Sequence, residues 1–217
     1  MGLLNYMALV KHNNNSISAV TSMASLSTGS MTLIKEQTAS SSASISFVDG
    51  SGGVVLDSTY PIYKFEIINC HPSNDGVILE LNFSTDGGSN YNVTKTTTVF
   101  DAYHRENDTS TGLGYNSSQD LAQSTANQNL TPEVELGNDN DATVSGSLFL
   151  YNPSSTTFVK HFMYVGNHMS YLDPTWSINA YIAGYCNTSS AVDAVRFSIN
   201  TGNIDAGTIK LYGIKDS

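Results

Sequence analysis

The chain is short of cysteine, positive charge and long apolar runs. Two cysteines, Cys70 and Cys186, among 217 residues cannot build a disulfide scaffold. Each follows an apolar, strand-like run and reads as a separate reduced thiol acting as a small hydrophobe. Nine lysines and arginines stand against nineteen acids, for a net charge of -10. The cations form no run or stripe, so sequence-independent binding of nucleic acid, which needs clustered cations, is not expected. The apolar opening MGLLNYMALVKH has no basic residue before it and is closed by Lys11, short of a membrane span; neither a secretory signal nor membrane insertion is expected. Tyr6 stands where a myristoylation signal following Gly2 wants Ser or Thr. Motifs of the type GxSxG, HExxH and CxxC are missing, and so is any segment with helical period.

Ser, Thr, Asn and Gly fill the solvent positions, because charged residues are only 13% of the chain. Such a surface suits an exposed shell protein better than an electrostatically steered enzyme. The apolar residues follow period two, the signature of strands with one buried face. Ala43, Ile45 and Phe47 alternate with serines; Tyr63, Phe65 and Ile67 alternate with Lys64 and Glu66. Val77, Leu79, Leu81 and Phe83 face away from Glu80 and Asn82. TVSGSLFLYNPSSTTFVKHFMYVG reads as a hairpin around an NPSS turn, WSINAYIAGY as another strand, and residues 193 to 214 as a terminal hairpin. Eight to ten strands joined by turn-rich connections predict an all-β fold, a two-sheet β-sandwich of jelly-roll type over residues 31–217. A chain of this length buries enough surface to form one core without metal or disulfide.

Residues 1–30 have no sustained period and read as an extended N-terminal arm. Its Leu3, Leu4, Tyr6, Leu9, Val10, Ile17 and Val20 are too many for a solvated tail, which makes them candidate anchoring residues. Residues 107 to 142 are polar and poor in strand pattern. A loop this long commonly serves an interface, a binding surface or a lid.

Candidate chemistry is sparse. STDGGSNY (84–91) has Asp-box spacing but occurs once, and reads as a hairpin turn with Gly87 and Gly88 at positive φ. Glu133, Glu135, Asp139 and Asp141 offer oxygen ligands for a hard cation such as calcium without EF-hand spacing. The set His104, Arg105 and Asp101, and the set His161 and His168, are the only acid–base candidates; as strand residues they read as surface or interface groups. Neither catalytic residues nor a cofactor are expected. Tyrosines near strand ends suit subunit interfaces or sugar-binding surfaces, having an apolar face and a polar tip.

From about Leu33 to Lys215 the sequence resembles a family of virion or tail-associated structural proteins of tailed bacteriophages, especially of marine bacteria. The resembling segments are TASSSASISF, STDGGSNYNVTKTTT, DLAQST, LFLYNPSSTTFVKHF, AGYCNTSSAVDAVRF and the C-terminal SINTGNIDAGTIKLYGIK, with NNNSISAV ahead of them. The resemblance implies a virion structural protein made in the bacterial cytoplasm and placed on the particle exterior, without catalytic residues to carry over. The expected form is a capsid decoration or head-fibre protein, a homotrimer held by its arm to other virion proteins such as the major capsid protein. The alternatives are a tail-fibre or receptor-binding protein whose 107–142 loop meets host surface glycans, and a carbohydrate-active enzyme, whose mark would be two carboxylates in one cleft.

Overall fold

A computed structural model of the chain describes residues 30–133, 135–172 and 175–215. The described residues form strands and no helix: β1 (Met31–Thr38), β2 (Ser44–Val48), β3 (Ile62–Pro72), β4 (Leu79–Ser84), β5 (Lys95–Arg105), β6 (Thr111–Tyr115), β7 (Gln128–Asn129), β8 (Val144–Tyr151), β9 (Lys160–Met169), β10 (Trp176–Cys186), β11 (Ala194–Ile199) and β12 (Ile204–Ile214). An eight-stranded sheet in the order β1-β12-β3-β8-β9-β10-β5-β6 packs on a four-stranded one, β2-β11-β4-β7. All pairings are antiparallel.

The strand order is that of a jelly roll. If β5, β6, β9 and β10 are set aside, β1 pairs with β12, β2 with β11, β3 with β8 and β4 with β7. That is one long antiparallel hairpin rolled up so that its successive segments fall in two facing sheets. The four remaining strands lie side by side and widen one sheet only, beyond β8.

The faces follow the alternation read from the sequence. Phe47, Phe65 and Phe197 meet between the sheets, with ring centroids 5.3 and 5.6 Å apart in the two contacts through Phe65. Phe83 of the small sheet meets Phe162 of the large one at 5.0 Å. Each such side chain, fully buried, contributes roughly 1.5–3 kcal/mol. Tyr164 is buried beneath two glycines: a Cβ on Gly166 would lie 2.0 Å from its Oη, and one on Gly146 would lie 2.7 Å from the Gly166 Cα. Glycine is required at both positions to make room for the ring and the paired backbones.

Three expectations are corrected. Strands β11 and β12 are no hairpin: β11 lies in the small sheet and β12 in the large one, because a jelly roll sends this connection across the core. For the same reason STDGGSNY is a crossover from β4 to β5, although Gly87 and Gly88 do have positive φ, 69° and 78°. Its bend is held by Asp86, which accepts from the Ser84 hydroxyl at 2.7 Å and from the Asn90 amides at 2.9 and 2.7 Å. Third, Asn82 does not face solvent; it is buried under residues 125 to 127, to which its amide donates. Of the N-terminal arm, only Ser30 is among the described residues, its carbonyl accepting from the Lys215 N–H; the seven anchoring candidates lie outside them.

Cys70 on β3 and Cys186 on β10 are buried, unbridged thiols. With β8 and β9 between their strands, three inter-strand steps of about 4.8 Å put them roughly 14 Å apart across the sheet alone, and the register opposite Cys70 falls at Ile178, well short of Cys186 along β10, far beyond disulfide reach. Burial pushes both thiols up to about 12. Thermal unfolding with and without reductant should coincide, and a lower melting temperature with reductant would contradict this geometry.

The buried Tyr164 hydroxyl has no hydrogen-bond partner. Removing it as Tyr164→Phe should therefore stabilise the fold by about 1 kcal/mol, whereas Gly166→Ala should cost about 1–3 kcal/mol by overpacking. Urea unfolding of the two variants checks both; a less stable Tyr164→Phe would show that the hydroxyl is satisfied.

Candidate functional site

The long polar segment after β5 is built into the fold. Its first part is β6, which pairs with Phe100–His104 of β5; then residues 116 to 124 take over the same edge. Their main chain bonds to β5 at Val99, Thr97 and Lys95 over 2.8 to 3.0 Å. Its later part is β7, the edge of the small sheet.

Between these two edges the interior is polar. Period two turns Lys95, Thr97, Val99 and Asp101 inward, and all four are buried. The Lys95 ammonium donates to Asn82 Oδ1 at 2.8 Å and to the Val93 carbonyl at 3.1 Å. Burial lowers its pKa to about 8. Thr97 donates to Gln128 Oε1 at 2.7 Å, and Gln128 Nε2 donates to the Gln119 and Asn129 carbonyls. Asn127 links Asn82 to Glu80. Each buried group therefore finds a partner, as the low dielectric demands.

At the outer end of this seam lies a groove of about 380 Å³ lined by Asp101, Tyr103, Asn116 and Glu133 together with the β6 backbone. Gly112 opens it, since a Cβ there would lie 2.6 Å from the Tyr103 ring. The Asn116 amide donates at 3.3 Å both to Asp101 Oδ1 and to Glu133 Oε2. Burial raises the Asp101 pKa against the opposing Asn116 bond. Loss of hydration, and then the Asp101 charge, raise that of Glu133. Glu133 holds a left-handed backbone, φ 73°, a conformation that costs a non-glycine residue free energy and here brings its carboxylate toward Asn116. At the rim Tyr115 donates to the Asp120 carboxylate, which raises the phenol's pKa.

No protein-family model, curated protein or solved structure matches this chain.

The pairing of Asp101 with Glu133 was missed by the sequence reading, though its signal was available: period two from Val99 places Asp101 inside. Glu133, Glu135, Asp139 and Asp141 do not converge, and among the described residues no group of three or more His, Cys, Asp or Glu is arranged to hold a metal. The Asp139 carbonyl instead accepts from His71 Nε2 at 2.9 Å, while His71 Nδ1 faces Asp205 at 2.7 Å. Burial opposes charge on that imidazole, but the two acceptors outweigh it and raise its pKa above 6.5. Strand parity separates His104 from Asp101 and Arg105, and His161 from His168. Asp101 points inward, whereas His104 points outward to Asp108; His161 is exposed and His168 buried. Arg105 lies 4.2 Å from the centre of the Trp176 ring.

A carboxyl whose folded pKa exceeds its unfolded value stabilises most when protonated. Asp101 therefore contributes stability below about pH 3.8, its unfolded value, and loses it as pH rises through the raised folded value. Asp101→Asn, which keeps an acceptor without the charge, should raise the melting temperature at pH 7 and change it little at pH 3.5. Equal shifts at both pH values would show that the charge is not the cause.

Proposed function

We propose that the chain is a non-enzymatic structural protein on the exterior of a bacteriophage particle, a capsid decoration or head-fibre module attached through residues 1–30. The observation that supports this best is the strand order, the jelly roll that recurs in viral capsid and lectin domains. It agrees with the resemblance of residues 33 to 215 to phage structural proteins, and with a surface made polar by hydroxyls and amides. The carboxyl pair fits a structural role: glycoside hydrolysis needs two carboxyls with a sugar bond between them, and in this groove the Asn116 amide occupies that place. Immunogold labelling of intact particles tests the location. Protein lacking residues 1–29 should melt like the full chain and be absent from purified particles. Full copy number of the truncated protein would overturn the anchoring role.

The expected assembly is a homotrimer. Strand β6 is a free edge carrying Leu113 and Tyr115, 73% and 58% exposed, and an unpaired edge with apolar side chains favours association that closed symmetry completes. Sedimentation equilibrium should give three times the 23.3 kDa chain mass; a monomer at micromolar concentration would contradict it.

A second reading, a tail-fibre or receptor-binding module that meets host surface glycans, is favoured by the outer face of the widened sheet, where aromatic side chains lie in solvent.

A further inference from the structure

The widened part of the large sheet has an outer face, whose side chains are fixed by register. Along β10, Tyr181, Ala183 and Tyr185 point outward in succession. Ala183 pairs with Met163 of β9 and with Thr98 of β5; Tyr185 pairs with His161 and Thr96; Tyr181 pairs with Val165 and Phe100. The small side chain between two tyrosines makes a saddle. Its floor is Ala183 and Met163, and Tyr151 closes the β8 side, its hydroxyl 3.8 Å from the Met163 sulfur. One wall is the Phe100–Tyr181 pair, stacked at 4.8 Å with ring planes 5° apart. The other is Tyr185 beside His161, with ring centres 6.2 Å apart. On the Tyr185 and Tyr151 side the hollow is about 440 Å³, within the range of small-ligand sites, and on the Phe100–Tyr181 side the same floor of Ala183 and Met163 continues into a smaller one of about 100 Å³. Phe100 and Met163 remain 43% and 49% exposed.

We infer that this saddle binds a neutral polysaccharide, one pyranose ring seated on Ala183 and Met163 between the two aromatic walls. The inference rests on the glycan-binding reading above and is independent of any place in a particle. Its chemistry is matched in charge: in a chain of net charge -10, none of the residues lining the hollow is Asp, Glu, Lys or Arg, so a sulfated, phosphorylated or cationic ligand would find no counter-charge. What the hollow offers is apolar surface flanked by Thr96, Thr98, His161 and tyrosine hydroxyls. A pyranose has the same composition, apolar C–H faces with hydroxyls around the edge. A two-fold contact with a second copy of this chain fits less well, because it would set one concavity against the same concavity.

The test is native electrophoresis of the full chain through gels containing laminarin, xylan, galactomannan or dextran, with alginate as the charged control. At least one neutral polymer should retard the protein. Tyr185→Ala and Ala183→Leu, both on the outward face, should each weaken that retardation at least tenfold without lowering the melting temperature. Should one of them destabilise the fold, the other decides. Migration unaffected by all four neutral polymers, equal retardation of wild type and variants, or retardation by alginate alone would overturn the inference. So would a dimer or trimer in sedimentation that Ala183→Leu dissociates, which would assign the face to a second copy. None of these failures bears on incorporation into particles, which is measured separately.

Discussion

A sheet of eight strands faces a sheet of four, and this mismatch governs the molecule. The jelly-roll framework needs only four strands on each side, and there the two inner faces cover one another with phenylalanine, leucine and isoleucine. Beyond β8 the large sheet continues without an opposing sheet of equal width. An uncovered inner face would expose apolar side chains on one side and unpaired main chain along the β5 edge. Residues 116 to 130 supply both kinds of cover, bonding to the β5 main chain along its edge and ending as the outermost strand of the small sheet.

That solution explains why the interior there is polar. A segment that crosses between sheets brings main-chain carbonyls and amides into the core, and these must be satisfied in place. Lys95, Thr97, Asn82, Asn127 and Gln128 satisfy them and one another. The cost is a lysine held without a counter-ion at hydrogen-bond distance, whose pKa falls to about 8. The same widening creates the outer aromatic face, since strands added to one sheet expose their second side to solvent. Inner seam and outer saddle are two sides of β5 and β10.

The framework was legible in the sequence because its strands are half-buried and alternate cleanly: Tyr63, Phe65, Ile67 and Leu79, Leu81, Phe83 fall inside as their spacing says. Partner choice was less legible. Alternation is a local property and carries no record of which sheet a strand joins, so the connections 84–95 and 199–204 look like hairpin turns although they cross the core. The polar segment 107 to 142, expected as one long loop for an interface, a binding surface or a lid, contains β6 and β7, and Gln128 within it is buried by hydrogen bonding, which polarity alone does not reveal. Parity alone could have placed Asp101 inside, but nothing local brings Glu133 to it across more than thirty residues. The saddle has the same character, its parts coming from β5, β8, β9 and β10 and meeting through register.

Residues 116 to 130 form a wall of the core. Native-state hydrogen exchange reports on this directly, because their amides either share the protection of the sheets or open alone. The amides of Asn116, Ser124 and Leu130 donate to the carbonyls of Val99, Lys95 and Leu79 and are expected to exchange as slowly as those of β5 and β10. Exchange of these amides at the rate of a free peptide, with β5 still protected, would make the segment a surface loop and contradict the account.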